Sequence, residues 1–286
     1  LTGALTTTPL VTDVWYDLRG LTAAVRSPGG RTEKLAYDGL GQPTATSTTD
    51  GSGGTGWSNA LTVAGDKVLA QAEFAYDKVG NPIQVTTRQR FDGETGTGAL
   101  GTPTTGVKAR VSYAASYYDI GDRLTAVVDV GTNNGVAWTR PAAVPARSDT
   151  VLVTSYLYDS AGFVQDVTDP LARVFRTTYD TLGRPLTETS ANGTADAWQT
   201  KYGYDSGGRL LSVVEPGSRE TRYGYDTFER VSTVTDRYGT PLQRTTSIAS
   251  NRLGEATSMT DPAGTATTFA YDAVGRTVGT TQAAGT

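Results

Sequence analysis

Carboxylates are the side chains of this sequence with the widest chemical scope. The chain contains no His and no Cys, which excludes Ser-His-Asp triads, Cys-His dyads and zinc sites built on those ligands. It also lacks a Gly-Lys-Ser/Thr phosphate-binding loop. Paired Asp and Glu side chains can serve general acid–base or glycosidase chemistry. The distribution of the carboxylates along the chain decides whether they do so here.

The aspartates follow a repeat. Intervals between successive copies are 21, 39, 42, 40, 21, 25, 21, 25 and 21 residues, and a tenth, degenerate copy carries Ser250-Asn251. Because an active site does not recur ten times, we expect these residues to be structural, and we expect no enzyme, no cofactor and no metal site. The dipeptides are Tyr16-Asp17, Tyr37-Asp38, Tyr76-Asp77, Tyr118-Asp119, Tyr158-Asp159, Tyr179-Asp180, Tyr204-Asp205, Tyr225-Asp226 and Tyr271-Asp272.

Each copy predicts a strand that ends in a tight turn. An aromatic residue often precedes the repeat tyrosine by two positions, as Tyr223 precedes Tyr225, which is typical of a strand. The Asp can accept backbone hydrogen bonds in a turn, and a Gly three positions later tolerates positive φ. Asn251 can replace the Asp in this role. An Arg follows the glycine position in five copies, and we expect it to pair with the Asp of a neighbouring unit.

The base unit of about 21 residues therefore predicts two strands and two turns. A single hairpin cannot bury its aromatic face, so neighbouring hairpins must stack edge to edge. We expect an all-β repeat architecture of stacked antiparallel β-hairpins in a curved, spiralling sheet, forming one domain over residues 1–286 with about ten hairpin units. In the return strand, Leu124 and Val127 break strict alternation. Either a bulge intervenes or both faces are partly buried.

Three expanded units place long loops on one edge of the predicted sheet, at 48–70, 90–108 and 129–150. Long loops on a rigid scaffold often carry binding functions. Trp57, Trp138 and Trp198 lie in this second-turn region. They predict either an aromatic surface that binds glycans or anchors that hold the loops to the sheet.

Charge and composition exclude further classes. The net charge of −4 and the pI near 5.0 argue against a dedicated nucleic-acid-binding protein. No apolar stretch reaches the roughly 20 residues of a membrane helix, so we expect no membrane insertion. The first ten residues lack the layout of a signal peptide, and we expect an internal fragment of a longer chain. Exposed terminal strands can support edge-to-edge self-association.

The repeated pattern resembles the YD-repeat, or Rhs (rearrangement hotspot), proteins. Tyr179-Asp180 followed by Gly183-Arg184 shows its first half, and Asp261-Pro262-Ala263-Gly264 its second. The resemblance covers essentially the whole chain. It extends to toxin-complex cocoon subunits, wall-associated proteins and teneurins. It implies a β-sheet shell, which in the toxins encloses a C-terminal toxin domain and in teneurins supports adhesion domains.

This resemblance implies a non-catalytic shell segment of a secreted or cell-surface bacterial protein. Its partners would be the rest of the parent chain and an enclosed toxin domain. The alternative is an adhesin or glycan-binding module that acts through the long loops. Related shells carry a self-cleaving aspartate region, but Asp261 lies within an ordinary repeat, and we interpret it as a turn residue.

Overall fold

The computed structural model describes residues 10–283, so the first nine residues, on which the fragment prediction partly rests, lie outside them. The chain divides into two compact units. Unit 1 comprises Leu1–Tyr156 and Asp169–Leu171, and unit 2 comprises Leu157–Thr168 and Ala172–Thr286. Within the described part, no helix is long and apolar enough to cross a membrane.

Unit 1 is a run of antiparallel strands in which each strand pairs with the next along the chain. A four-residue helix, α1 (Trp57–Ala60), and a 3-10 turn at Asn133–Gly135 interrupt it. The last two residues of its final strand belong to unit 2. The strands are β1 (Asp13–Tyr16), β2 (Thr22–Arg26), β3 (Thr32–Tyr37), β4 (Pro43–Thr49), β5 (Val68–Tyr76), β6 (Pro82–Arg90), β7 (Ala109–Tyr118), β8 (Leu124–Gly131) and β9 (Leu152–Tyr158).

Unit 2 repeats the same antiparallel succession with short connections only. Its strands are β10 (Val164–Thr168), β11 (Val174–Tyr179), β12 (Pro185–Ser190), β13 (Trp198–Tyr204), β14 (Leu210–Glu215), β15 (Arg219–Tyr225), β16 (Val231–Asp236), β17 (Arg244–Ser250), β18 (Ala256–Thr260), β19 (Ala266–Tyr271) and β20 (Thr277–Gln282).

The predicted fold class, an all-β architecture of stacked antiparallel hairpins, is confirmed. The break in alternation of the return strands is a β-bulge. In β7 and β8, Tyr117 lies opposite Ala126 and Tyr118 lies opposite Leu124, so Thr125 is skipped. Counting this one, the register shift occurs beside the repeat tyrosine in eight described hairpins and beside Ser250 in the degenerate copy. The prediction of one domain over residues 1–286 stays a prediction.

The strands present two chemically different faces. We call the side that holds the residues one, three and five positions before each repeat tyrosine, with their cross-strand partners, the odd face. The residues two and four positions before the tyrosine define the even face, which carries aromatics such as Tyr202, Tyr223 and Phe269. In unit 1 part of the odd face is buried, as Lys34 and Ser47 show, while Ala36 and Ala75 beside the turns are exposed. What covers it is described below.

Candidate functional site: the tyrosine–aspartate turn and the odd face

The tyrosine–aspartate turn has the predicted construction, as Asp226 illustrates. Its backbone N–H donates to the carbonyl of Arg230 at 2.8 Å, and the N–H of Glu229 donates back to the Asp226 carbonyl at 3.0 Å. Its Oδ1 accepts the N–H groups of Phe228 at 2.8 Å and Arg230 at 3.0 Å. The carboxylate thus satisfies two backbone donors that the reversal of the chain would leave without partners.

The degenerate copy forms the same turn. Asn251 Oδ1 accepts the N–H groups of Leu253 at 2.9 Å and Glu255 at 3.1 Å. An amide oxygen replaces the carboxylate oxygen without loss of the hydrogen bonds. Asp261, at the sequence that echoes a self-cleavage region, accepts the N–H groups of Ala263 and Thr265 in the same way. Its side chain is a turn acceptor.

The residue three positions after the Asp or Asn is left-handed in every copy. Eight copies use Gly there, but Asp122 (φ 59°) and Glu229 (φ 65°) take the same conformation with a side chain. This conformation costs roughly 1–2 kcal/mol for a residue with a Cβ. The ten residues are Gly20, Gly41, Gly80, Asp122, Gly162, Gly183, Gly208, Glu229, Gly254 and Gly275.

The recurring arginine pairs differently from the expectation. Arg209 donates from Nε to Oδ2 of Asp205, the aspartate of its own turn, at 2.6 Å. Its guanidinium also lies 4.8 Å from the ring centre of Tyr225, in the next repeat. Arg184 makes the equivalent contact with Tyr204 at 4.4 Å. The arginine pairs with the aspartate of its own turn because that carboxylate is nearer than the one in the neighbouring turn. Its contact with the next repeat is through the tyrosine ring.

These contacts lower the pKa of Asp226 and Asp205. For Asp226 the largest cause is the hydrogen bond from the side chain of Arg230, followed by the backbone N–H of the same residue. For Asp205 the order is reversed, with the backbone N–H of Arg209 first and its side chain second. Hydrogen bonds to a carboxylate favour its charged form. Such an aspartate is held as an anion, which suits a structural acceptor and not a general acid.

The repeat tyrosine makes the connection that sequence reasoning missed. In at least six copies its hydroxyl donates to a backbone carbonyl of the preceding repeat, at 2.8–3.2 Å in these six. The acceptor is always the sixth residue after the repeat position of the preceding copy, at the start of its return strand. The pairs are Tyr37 with Thr22, Tyr76 with Pro43, Tyr118 with Pro82, Tyr179 with Val164, Tyr225 with Leu210 and Tyr271 with Ala256.

The three long loops lie where the sequence places them, between a return strand and the next repeat strand. They span 50–67, 91–108 and 132–151, slightly shorter than predicted because the flanking strands extend into them. We call them loop 1, loop 2 and loop 3. Residues of loops 1 and 2, Val63, Leu100 and Val107, pack with Val68 and Ala109 of the strands. The loops thus contribute to the core of unit 1.

Loop 1 is attached through a buried ion pair. Lys34 of β3 contacts Asp66 Oδ2, and the two side chains are 5% and 0% exposed. The Lys34 ammonium also donates to the carbonyls of Asn59 at 2.6 Å and Thr62 at 2.7 Å. The other Asp66 oxygen accepts the N–H of Gly53 at 2.7 Å. A buried charge with this many partners holds the loop in one position.

The three tryptophans do not lie in one kind of environment. Trp57 belongs to α1 in loop 1 and donates from Nε1 to the Tyr16 carbonyl at 2.8 Å. Trp138 packs on the hydrophobic cluster under loop 3, 6.2 Å from the ring of Tyr113. Trp198 is the first residue of β13 in unit 2 and is 59% exposed. Their predicted binding role remains a prediction.

Across residues 10–283, no group of three or more acidic side chains is arranged to hold a metal ion. The turn aspartates instead use their oxygens for backbone N–H groups and arginines, one turn at a time. The expectation of a structural role for these residues agrees with this geometry.

Comparison with known protein families gives a match in the second half of the chain. The RHS Repeat family matches residues 158–195, 204–241 and 251–286. These three segments carry RHS repeats. The matched segments begin at Tyr158, Tyr204 and Asn251, so their starts coincide with the tyrosine–aspartate turns described above. No curated protein sequence matches the chain.

The fold of the chain is similar to parts of several solved structures. The TcdB2-TccC3-Cdc42 crystal structure is similar, with a TM-score of 0.51 and 13% identity over 94% of this chain and 14% of that chain. The Photorhabdus luminescens Tc holotoxin pore gives 0.51 and 13% over 95% and 15%. The TcdB2-TccC3 crystal structure gives 0.50 and 14% over 96% and 15%. The chain spans 14–15% of the length of these relatives, and the likeness concerns the fold.

Proposed function

We propose that this chain is a non-catalytic wall segment of an RHS-repeat protein, and that the wall encloses another polypeptide. The observation that supports this most is the repeat-to-repeat connection. The Tyr225 hydroxyl binds the carbonyl of Leu210 at 2.8 Å, and five further copies do the same with their preceding repeats. Residues that bind the neighbouring repeat of their own chain serve assembly of a continuous sheet.

The same proposal includes its cellular setting. We infer that residues 1–286 form one repeat domain inside a longer secreted or surface-delivered bacterial protein, and that the enclosed polypeptide is a toxin domain of that parent. The likeness in fold to parts of toxin structures supports this direction. A wall segment needs no cofactor and no active site, which agrees with the use of the turn carboxylates as backbone acceptors.

Limited proteolysis of the full-length parent protein tests the proposal. A segment outside the repeats should resist protease in the native protein and be cut rapidly after the repeats are unfolded by urea. Equal cleavage before and after unfolding would rule out enclosure. A glycan array with the 286-residue chain tests the adhesin alternative in parallel. Binding that disappears in Trp57→Ala or Trp198→Ala would replace the wall proposal with a glycan-binding function.

A further inference from the structure

The odd face of unit 1 binds chain segments that have no regular structure, through their backbones. Lys34 donates to two carbonyls of loop 1. Arg90 donates to the carbonyls of Glu94 and Gly96 in loop 2. Gln71 Oε1 accepts the N–H of Leu100 in loop 2 at 2.9 Å. None of these hydrogen bonds requires a particular side chain in the loop.

Loop 3 is held in the same manner. The Tyr117 hydroxyl donates to the carbonyl of Pro141 at 3.2 Å, and Gln84 Oε1 accepts the N–H of Arg140 at 3.2 Å. All three loops are thus seated on polar side chains of one sheet face. Unpaired backbone groups need such partners when they leave water. The odd face supplies these partners and so allows irregular chain to pack on the sheet.

Unit 2 has the same positions, but its strands are joined by short connections and it contains none of the three long loops. Lys201 stands three residues before Tyr204, as Lys34 stands before Tyr37, and Gln199 stands at the position of Gln71, five residues before the tyrosine. Both side chains are exposed. Lys201 forms no ion pair with any residue in the described range 10–283. Among those residues, Asp166 is the single buried residue of unit 2, and it is 8% exposed.

The odd face of unit 2 is also smooth near the turns. Gly203 and Gly224 occupy the position before the repeat tyrosine, opposite Ser212 and Thr233. A Cβ on Gly203 would lie 2.5 Å from the Ser212 Oγ, and one on Gly224 would lie 2.3 Å from the Thr233 Oγ1. The hydroxyls therefore lie over the glycines. Beside the two glycines the surface offers hydroxyl donors and acceptors, whereas further from the turn the odd face carries larger side chains, such as Arg222 with the Tyr238 ring 3.7 Å away.

We propose that the odd face of unit 2, centred on Lys201, binds an unfolded polypeptide through its backbone carbonyls. The occupant follows from unit 1, where irregular chain is already seated on the equivalent residues. Recognition of the backbone makes this binding tolerant of sequence. The inference deepens the proposed wall function and rests on it, because it assigns one sheet face to the enclosed chain.

The test uses the whole 286-residue protein. Because the chain contains no cysteine, a photo-cross-linker can be attached at one introduced cysteine. Thr187→Cys places a benzophenone on the odd face opposite Lys201, and Thr200→Cys places it on the even face of the neighbouring strand. The probe is reduced and carbamidomethylated α-lactalbumin, which is unfolded and has no free thiol. Native α-lactalbumin is the folded control of the same sequence. We expect photo-cross-linking from position 187 to the unfolded probe alone.

Lys201→Met in the Thr187→Cys background should lower the cross-linking yield about fivefold, the scale of one charge-assisted hydrogen bond at an exposed site. Lys201→Arg should retain the yield. Equal yields from positions 187 and 200, equal yields with folded and unfolded probe, or no effect of Lys201→Met would overturn the inference. The wall proposal is tested separately, by proteolysis of the parent protein. Cross-linking from position 187 in a parent protein that gives no protection from protease would refute the wall and retain the binding surface proposed here.

Discussion

Removal of one tyrosine hydroxyl tests the connection between repeats. In Tyr225→Phe the ring keeps its place beneath the Arg209 guanidinium, 4.8 Å away, while the hydrogen bond to the Leu210 carbonyl is lost. The change removes one donor and no apolar surface. Any loss of stability therefore reports the bond that links this repeat to the preceding one.

The magnitude follows from the net value of a single hydrogen bond. An intramolecular hydrogen bond contributes about 0.5–1.5 kcal/mol after exchange with water, and this one is partly buried. We expect Tyr225→Phe to lose about 1 kcal/mol of local unfolding free energy. Amide hydrogen exchange in β14 and β15 should become about fivefold faster, since 1.4 kcal/mol corresponds to tenfold.

Tyr204→Phe is the matched control. Tyr204 occupies the same repeat position and lies beneath Arg184 at 4.4 Å, but its hydroxyl has no carbonyl acceptor among the described residues. We expect amide exchange in the corresponding strands, β12 and β13, to stay within about twofold of the parent chain, as for a substitution that removes no contact. Equal effects of Tyr225→Phe and Tyr204→Phe, or no effect of either, would refute the assignment of the hydroxyl as a connector.

Further predictions address the turn, the loops and the titrating groups. Glu229→Gly should raise the free energy of unfolding in urea by about 0.5–1 kcal/mol, because the relief of a left-handed φ exceeds the added chain entropy; a loss would contradict the turn geometry. Lys34→Met should cost about 3–5 kcal/mol because it leaves the buried Asp66 carboxylate without its cation, and a double-mutant cycle with Asp66→Asn should show strong coupling. The pKa of Asp205 lies below its ordinary value of 3.8, so its contribution is present above that value and lost as pH falls through the lowered folded pKa; Asp205→Asn should flatten the acid dependence of unfolding below about pH 4. The hydrogen bond to the Glu188 carboxylate raises the pKa of Tyr202 to about 12, so absorbance titration should lose one late-titrating phenol in Tyr202→Phe.

Much of this fold could be predicted because its information is local and repeated. The spacing of Asp226, Glu229 and Arg230 specifies one turn, and ten copies specify a stack. The Gly that occupies the left-handed position in eight copies makes the turn recognisable in the sequence. Asp122 and Glu229 show that the fold imposes the conformation even where the residue disfavours it.

The remaining features depend on contacts that no short pattern records. The Tyr225 hydroxyl donates to the carbonyl of Leu210, fifteen residues earlier. The sequence signal for this hydrogen bond is that the acceptor lies six residues after the preceding repeat tyrosine, Tyr204. The burial of Lys34 beneath loop 1 depends on Asp66, thirty-two positions away in an irregular loop. The arginine was assigned to a neighbouring aspartate because sequence spacing alone does not distinguish its own turn from the next.

The register between consecutive repeats is the most direct test of the whole account. Val213 of β14 lies opposite Thr221 of β15, and directly opposed residues of antiparallel strands have Cα atoms about 4.5–5.5 Å apart, within disulfide range. In this cysteine-free chain, Val213→Cys with Thr221→Cys should oxidise to an intramolecular disulfide. Val213→Cys with Arg222→Cys, one residue out of register and on the other face, should not. The reverse result would contradict the stacking of tyrosine–aspartate hairpins on which the account depends.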